Sequence, residues 1–340
     1  MKNKIMGSNG RVTIKTVAAD AGVSVAAVSK VLRDAYGVSE ALRTKVLESI
    51  DRLGYRPSTA ARGMRGQTYS VGIVMVEMAN PFLPEIVAGA NDVLATEKYH
   101  SMIGVGEAQL KLETALIERM IDTRMDGVLL IAPRLSGEQL ARYARQLPMV
   151  VIGHHEPQAQ AFDTVNSDDQ MGGRITVEAL VAEGHRRIAM MSLPEKGSTE
   201  VDVYRQREIG YVEAMRAAGL GDEIRILRSR ERRRLVEADL ATALDGPELP
   251  SAMFCWSDLH AISLLSGAKS RGIAVPERLA VVGYDNSPVA ALSMIGLSSV
   301  DQGGRRLGEV AARTLLSRIG GRSAPEHLLL DPVLVRRESF

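Results

Sequence analysis

A strict alternation of apolar runs and amphipathic stretches, from residue 69 onward, most constrains the fold of this chain. The apolar runs are continuous rather than alternating, as in VGIVMV, GVLLIA, MVVIG and LAVVGYD. Such runs are typical of strands in a parallel sheet that is covered on both faces. The stretches between them have helical spacing, so strand and helix alternate throughout. The pattern predicts an α/β fold built on doubly wound parallel sheets.

A second series of alternating helices and strands begins at a helix predicted from Asp168 to Glu183. Two alternating units, with late segments that cross back, predict a bilobed body over residues 68–340. Its lobes are expected at these bounds: N-lobe about 68–164 and 296–324, C-lobe about 165–295 and 325–340. Ligands of open parallel sheets bind beyond the carboxyl ends of the strands. A ligand-binding cleft between the lobes is therefore expected.

A three-helix head is predicted over residues 11–56, before the body. VTIKTVAADAGVSVAAVSKVL reads as two short helices joined by a tight turn, with Thr13 and Ser24 as N-caps. A third helix is expected from Ser39 to Leu53. The outward face of the second helix carries small side chains and one cation: Val25, Ala26, Ser29 and Lys30. This face suits a DNA major groove, and a plain helical hairpin is the alternative.

The segments on either side of the head have too few apolar residues to fold alone. The polar residues 1–10 are expected to form a disordered tail. Residues 57–67 begin with Pro57, which suits the first turn of a helix. Because isolated helices shorter than about 12 residues are marginal in water, this linker is expected to become helical only against a partner. A flexible tether is the alternative.

The charge of the chain is divided unequally along its length. The net charge is +1, but residues 1–66 carry 12 Lys or Arg and five Asp or Glu, a net charge of +7. The remainder carries 30 and 36, a net charge of −6. A basic head on an acidic body is typical of a nucleic-acid-binding head joined to a regulatory body.

Cysteine usage and hydropathy indicate a cytoplasmic protein. Cys255 is the single cysteine, so an intrachain disulfide is excluded. No apolar run approaches the roughly 18 residues that span a bilayer. The N-terminus MKNKIMGSNG lacks the apolar core of a signal peptide. We therefore expect no membrane partner.

With these features, the chain closely resembles the LacI/GalR (lactose repressor) family of bacterial transcription regulators over nearly its whole length. The motifs that carry the resemblance include the two-helix stretch, LGYRPSTAARGMR, NPF, GGRITVEALVAEGHRRIA, RQREIGY, WSD, VVGYDN and LVRRES. The resemblance implies a periplasmic-binding-protein-like body and a homodimer that binds near-palindromic operator DNA. A dimer is favoured over a tetramer, because LVRRES is not followed by the heptad helix of the family's tetramers.

The resemblance also implies which residues contact DNA. The second helix would lie in the major groove, and paired hinge helices would enter the minor groove. Met64 stands where the family usually places a Leu wedge. Lys30 stands where an Arg or another polar reader is usual. The implied DNA-binding residues are Thr13, Ser24, Val25, Ala26, Ala27, Ser29, Lys30, Ala61 and Met64.

In the cleft, Arg207 matches the effector-binding arginine of the family's R-x-x-G-aromatic motif. A guanidinium can bind two vicinal hydroxyls or one carboxylate, and a surface salt bridge is the alternative. Asp285 matches an acceptor of sugar hydroxyls, with a helix cap as the alternative. Trp256 would stack on a pyranose or fill the core. The implied effector-binding residues are Phe82, Arg207, Trp256, Ser257, Asp285 and Gln302.

Two further stretches depart from this pattern or lie outside it. Gly153 stands where many relatives carry Asp, which argues against a ligand that is read like a simple galactoside. His154 and His155 follow it, but adjacent residues of a strand point to opposite faces, so a metal site is not expected. The arginine-rich stretch 228–234 is expected to be a solvated loop.

Enzymatic motifs are missing from the sequence. It contains no H-E-x-x-H, no G-x-S-x-G and no P-loop, and GVG at 104–106 lacks the third glycine of a dinucleotide fingerprint. We therefore expect that the protein is not an enzyme and that it needs no cofactor. The function expected is a ligand-responsive, sequence-specific DNA-binding regulator, a repressor of a carbohydrate-utilisation operon whose effector is a sugar or sugar acid. The alternatives are a purine or other small metabolite as effector, or a sugar-binding protein without DNA activity.

Overall fold

The computed structural model describes residues 12–32, 35–56, 66–194, 199–232, 234–246 and 248–340. It divides the chain into two compact units, Met1–Thr68 and Tyr69–Phe340. The predicted tail at 1–10 and the predicted DNA-contacting hinge residues Ala61 and Met64 lie outside the described residues.

The first unit contains α1 (Ile14–Asp20), α2 (Val25–Leu32) and α3 (Glu40–Leu53). The predicted caps are present: Thr13 forms a capping box with Thr16, and the amide of Ala27 donates to the Ser24 hydroxyl over 3.1 Å. The third helix ends at Gly54, whose φ of 60° is a left-handed conformation that glycine adopts without strain. Local capping thus fixes the bounds of these short helices.

A small apolar core joins the three helices of this unit. Its buried members are Val17, Ala18, Ala21, Val28, Val31 and Val46. A polar contact adds to it, because the buried Ser49 hydroxyl donates to Asp20 over 2.6 Å and Arg52 donates to the same carboxylate over 2.5 Å. The hydrogen bonds from Ser49 and Arg52 lower the pKa of Asp20. They hold α3 across the end of α1.

The second unit consists of strands and helices in alternation. Its strands are β1 (Ser70–Met75), β2 (His100–Val105), β3 (Gly127–Ile131), β4 (Met149–Ile152), β5 (Asp163–Ser167), β6 (Ile188–Ser192), β7 (Arg225–Arg228), β8 (Ala252–Cys255), β9 (Ala280–Tyr284), β10 (Ser298–Asp301), β11 (His327–Leu330) and β12 (Val333–Val335). Its helices are α4 (Phe82–Thr96), α5 (Leu110–Asp122), α6 (Gly137–Ala144), α7 (Asp169–Ala182), α8 (Val203–Ala217), α9 (Glu237–Leu244), α10 (Asp258–Ser270) and α11 (Gly304–Ile319), with a short 3-10 helix at Gly221–Glu223. Among the described residues, no helix is both long and apolar enough to cross a membrane.

These strands form two six-stranded sheets, in the orders β11-β5-β4-β3-β1-β2 and β12-β10-β9-β8-β6-β7. All neighbours are parallel except β10 and β12. Helices α4 and α11 cover one face of the first sheet, and α5 and α6 cover the other. Helices α9 and α10, and α7 and α8, cover the two faces of the second. The predicted α/β class, with two doubly wound sheets, is confirmed.

The lobe boundaries differ from the predicted ones, which fall near residues 164, 295 and 324. Strand β5 pairs with β4 through residue 165 and belongs to the first sheet, which builds the N-lobe. Strand β10 pairs with β9, so it belongs to the second sheet and the C-lobe. Strand β11 then pairs with β5 in the N-lobe, and β12 returns to the C-lobe. Each crossover therefore lies a few residues later than predicted.

Strand β5 was not predicted, because its sequence DTVNS is mostly polar although all five residues are buried. Its polar side chains are paired within the fold. The carboxylate of Asp163 accepts from Arg318 over 2.6 and 2.8 Å and from Arg322 over 2.8 Å. The Asn166 side chain accepts from the amide of Gly153 over 2.7 Å. Pairing to distant residues permits a buried polar strand.

Candidate functional site

A cleft lies where the carboxyl ends of the two sheets face each other. The N-lobe contributes the loops after β1 and β4, and the C-lobe contributes those after β7, β8, β9 and β10. The lobes touch across it: the amide of His155 donates to the Val201 carbonyl over 2.8 Å, and Asn80 donates to the Asp285 carboxylate over 3.0 Å. Groups from both lobes thus meet in one site.

Arg207 lies on α8 with only 3% of its surface exposed. Its Nε donates to Asp169 over 2.7 Å, and its Nη1 donates to the Trp256 carbonyl. Its Nη2 is 3.4 Å from Gln302 Oε1, and its Cζ lies 3.6 Å from the centroid of the Tyr284 ring. The alternative of a surface salt bridge is wrong, because the guanidinium is buried at the floor of the cleft.

Asp169, in the first turn of α7, is a cleft residue that sequence reasoning missed. Its second oxygen lies 2.7 Å from Nε2 of His155, so one carboxylate joins His155 of the N-lobe to Arg207 of the C-lobe. Burial alone would raise the pKa of Asp169, but the charge of Arg207 and the hydrogen bond with His155 outweigh burial and lower it. The sequence predicted only that this helix begins near Asp168, because His155 and Arg207 are distant from Asp169 in the chain.

Asp285 follows β9 and is 4% exposed. Its carboxylate accepts from Gln302 over 2.6 Å and from Asn80 over 3.0 Å. The next described element after it is β10 rather than a helix, so the alternative of a helix cap is wrong. Burial raises the pKa of Asp285 to about 8, and the charge of Asp258 adds to that rise although Arg207 opposes it.

Trp256 is partly exposed after β8 and lies between two arginines. The Cζ atoms of Arg207 and Arg232 are each 5.9 Å from its ring. Its indole Nε1 is buried and donates to no described residue. The ring also packs against the core beside Tyr204, at a centroid distance of 6.4 Å. Both interpretations of Trp256, a core residue and a face for a ligand, fit this position.

Ser257 is buried, and its hydroxyl lies 3.1 Å from Nδ1 of His260. The other ring nitrogen of His260 is 3.0 Å from the Glu231 carbonyl and 3.2 Å from the Ser229 hydroxyl. Burial lowers the pKa of His260 to about 4, so the ring is neutral near pH 7. It anchors the loop after β7, and Arg232 of that loop is partly buried over Trp256. The prediction of a solvated arginine-rich loop is therefore wrong for Arg232.

Phe82 begins α4 and is 7% exposed. Its amide donates to the Asn80 side chain over 3.0 Å. Its ring packs closely against Gly304 at the start of α11. Phe82, Asp285 and Asp301 line a cavity of about 410 Å³. Of the predicted effector-binding residues, only Phe82 and Asp285 line this cavity.

The two histidines after β4 have different partners. His154 Nε2 lies 2.7 Å from Glu156, whereas His155 Nε2 lies 2.7 Å from Asp169. Across the described ranges, no group of three or more His, Cys, Asp or Glu side chains could hold a metal ion. Gly153, before them, has a φ of 76° and donates to Asn166. A residue with a side chain would be strained at that φ.

The outward face of α2 in the first unit carries few polar groups. Ala26 and Lys30 are exposed, and Val25, Ala27 and Ser29 are partly buried. The hydroxyls of Thr13 and Ser24 serve as helix caps. A cap hydroxyl keeps a free lone pair or proton, so it remains available for a second hydrogen bond.

Comparison with known proteins identifies the origin of this architecture. Residues 13–58 match the bacterial regulatory proteins of the lacI family, and residues 177–340 match a periplasmic binding protein-like domain. The HTH-type transcriptional repressor PurR of Photobacterium profundum is 30% identical over 96% of this chain and 98% of its own length. The repressor CytR of Escherichia coli is 30% identical over 96% of each chain. The chain belongs to the lacI family. It is a DNA-binding transcriptional repressor with a helix-turn-helix head.

Solved structures agree with this family assignment. The transcriptional regulator CelR in its cellobiose complex has a TM-score of 0.70 and 30% identity, and the match covers 97% of this chain and 100% of that one. The lac repressor dimer bound to operator and the anti-inducer ONPF has a TM-score of 0.82, over 97% and 99% of the two chains. Its 22% identity makes it evidence for the fold alone. The curated relatives are regulators rather than enzymes.

Proposed function

We propose that this lacI-family chain acts in the cytoplasm as a homodimeric repressor of carbohydrate-utilisation genes, controlled by a small molecule in the cleft. The observation that carries the proposal is Arg207, whose buried guanidinium makes three contacts with cleft residues. Because a guanidinium has five N–H donors, two remain for vicinal ligand hydroxyls. Asp285 adds a second polar group from the same lobe, and Gln302 donates a hydrogen bond to it over 2.6 Å. The cellobiose bound to CelR, a relative of similar length, supports a sugar or sugar acid.

Arg207→Lys tests this assignment. Lysine keeps the charge beside Asp169 but loses the planar fork. We expect operator binding in a gel shift to be unchanged and effector affinity to fall about 10- to 100-fold, since each lost hydrogen bond to a charged group is worth about 1.5–3 kcal/mol. Arg216→Lys, exposed on the same helix, is the matched control. A normal effector response in Arg207→Lys would place the site elsewhere.

A purine or nucleoside-like effector is the second candidate. Its support is the similarity to PurR and CytR together with the unpaired Nε1 of Trp256 beside an aromatic face. A thermal-shift panel separates the candidates, because a ligand at 100 times its dissociation constant adds about 2.7 kcal/mol of stability. Sugars and sugar acids should raise the melting temperature, whereas purine bases and nucleosides should not.

For DNA binding, we propose that α2 enters the major groove of a near-palindromic operator. The contacts would come from Val25, Ala26, Ala27 and Lys30, with Thr13, Ser24 and Ser29 on phosphates and the hinge residues Ala61 and Met64 in the minor groove. Few of these side chains can hydrogen-bond to bases, so thymine methyl contacts and operator deformation should supply much of the specificity. Lys30→Met should weaken operator binding in gel shifts, and Lys269→Met on α10 should not.

Homodimerisation is supported by apolar side chains on an open edge of the N-lobe sheet. Strand β2 is the edge strand, and its Met102 and Ile103 are 59% and 52% exposed. Leu110 and Leu112, at the start of the following helix, are 42% and 37% exposed. A second copy would cover an exposed apolar edge. Light scattering should give twice the chain mass, and Ile103→Glu should shift it toward the monomer.

A further inference from the structure

The loop that His260 anchors places a positive charge in the cleft that forms no ion pair with a carboxylate of the described residues. Arg232 is partly buried, with its Cζ 5.9 Å from the centroid of Trp256. It makes no hydrogen bond or ion pair with the described residues, in contrast to Arg228 and Arg234 of the same stretch, which pair with Glu208 and Glu231. A buried charge without a partner is unfavourable, so it is expected where a ligand supplies the opposite charge.

A second arginine lies near this position, from the opposite lobe. Arg134 follows β3. Burial lowers the pKa of Arg232 most, and the charge of Arg134 lowers it further. The carboxylates of Glu77 and Asp202 and the Tyr204 hydroxyl act in the other direction but are outweighed. Asp202 also already accepts from the Thr199 amide over 2.8 Å. Burial and the charge of Arg134 thus both disfavour the charged form of Arg232, and an added anion would oppose both effects.

Glu113 is a buried carboxyl group whose pKa the charges of both arginines affect. It is 2% exposed, and one of its oxygens accepts from the Arg134 amide over 2.7 Å. Its other oxygen has no partner among the described residues. Burial raises the pKa of Glu113 in spite of the charges of Arg134 and Arg232. Burial therefore makes the charged form of Glu113 less favourable than it would be in water.

The two cleft arginines of the C-lobe thus have different tasks. Arg207 is neutralised by Asp169 at 2.7 Å, so it can bind uncharged hydroxyls. Arg232 is paired with no carboxylate in the part of the chain that the structure describes. We propose that the effector is a polyhydroxylated anion, that Arg232 and Arg134 bind its carboxylate or phosphate, and that Arg207 binds its hydroxyls. This inference rests on the proposed function and narrows its ligand class.

Trp256 provides the measurement, because it is the single tryptophan of the chain and lies between Arg207 and Arg232. The full chain is titrated at constant ionic strength with D-glucose, D-glucuronate, D-glucose 6-phosphate and inorganic phosphate, and its fluorescence is followed. The three anions should give saturable changes, and the tighter of glucuronate and glucose 6-phosphate identifies the charged group. Glucose should bind at least tenfold more weakly than the preferred anion.

Arg232→Gln should weaken binding of the anions at least tenfold, which is about 1.4 kcal/mol, and leave glucose binding unchanged. Arg234→Gln is the matched control, because that side chain is 69% exposed and pairs with Glu231. Glucose binding as tight as that of its anionic forms would overturn the inference. So would full anion affinity in Arg232→Gln, or no saturable response to any of the three anions.

Failure of this inference can be told apart from failure of the proposed function. A neutral sugar that changes operator binding in wild type but not in Arg207→Lys would refute the anion and leave the sugar-responsive repressor standing. An anion that binds through Arg232 but does not change operator binding in a gel shift would support the anion and count against ligand control of the repressor.

Discussion

Among single residues, Asp285 makes the stability of the cleft depend on pH. Burial raises its pKa to about 8, whereas an Asp of an unfolded chain titrates near about 3.9. A carboxyl group with a raised pKa contributes stability that is complete below the unfolded pKa and is lost as pH rises through the folded pKa. The free energy of unfolding should therefore fall between about pH 4 and about pH 8, by up to about 1.4 kcal/mol for each pKa unit.

Asp285→Asn should flatten this dependence, because an amide does not titrate. Urea unfolding at several pH values measures it, and the slope rather than the absolute stability is the readout. Asp258, whose pKa burial raises to about 6, titrates in both proteins and leaves a smaller slope. Asp222→Asn, at an exposed carboxylate, is the control. Equal slopes in wild type and Asp285→Asn would show that Asp285 is ionised throughout.

The sequence allowed prediction of some cleft residues and not of others. Arg207 and Asp285 stand in local motifs, R-x-x-G-aromatic and VVGYDN, so a few neighbouring letters mark them. Asp169 and Arg232 have no such motif. Their roles depend on His155 and Trp256, which the fold brings beside them from other elements. Pairing across the cleft is a property of the fold, and local spacing does not reveal it.

At the scale of elements, Ser24 is predicted both to cap α2 and to contact a phosphate, and substitutions separate the two roles. Ser24→Ala removes the acceptor for the Ala27 amide and should lower head stability by about 0.5–2 kcal/mol. Ser24→Asp keeps the cap but adds a negative charge facing DNA. Hydrogen exchange of α2 amides in the full chain should show protection lost in Ser24→Ala and kept in Ser24→Asp, whereas operator binding should weaken in Ser24→Asp. Full operator binding by Ser24→Asp would exclude a phosphate contact.

The packing of α4 against α11 depends on a glycine. A Cβ at Gly308 would lie 1.9 Å from the carbonyl oxygen of Ile86 and 2.7 Å from the amide of Ala90. Gly308→Ala must separate the helices and should lower the free energy of unfolding by about 1–3 kcal/mol. At Gly221, the nearest atom to a new Cβ is Arg216 Cγ at 3.9 Å, so Gly221→Ala is the control in thermal unfolding. A stable Gly308→Ala would mean that the crossing tolerates wider spacing.

Strands were predictable where burial and apolar character coincide, as in β1, β3, β4 and β9. Strand β5 breaks that rule: its Asp163 is fully buried, but its partners Arg318 and Arg322 lie more than 150 residues away. The hydrophobic pattern of a segment does not predict ion pairs with residues that are distant in the chain. The same omission displaced the predicted lobe boundaries, because β5, β10 and β11 mark the crossovers.

For the whole molecule, the positive charge is concentrated in the first unit, so we expect this unit to provide the electrostatic attraction to DNA. Residues 1–66 carry a net charge of +7, and the remainder carries −6. Each phosphate that a Lys or Arg neutralises adds about −0.9 to the slope of log affinity against log salt. The acidic body opposes non-specific binding away from the head. The head should therefore determine how operator affinity depends on salt, and the cleft should determine how it responds to an effector.

Control of one site by the other must be reciprocal. If an effector bound near Arg207 changes operator affinity by some factor, operator DNA must change effector affinity by the same factor, typically 5- to 150-fold for a coupling of about 1–3 kcal/mol. Trp256 fluorescence titrations with and without a saturating operator duplex measure one side of this cycle, and gel shifts with and without effector measure the other. An effector that releases the operator should bind more weakly to the complex, and one that strengthens operator binding should bind more tightly.

Arg207→Lys should weaken effector binding in both titrations, so the ratio of the two affinities should change less than either value. Effector affinity that is identical with and without operator would show that cleft and head are not coupled at equilibrium, even if both bind their ligands.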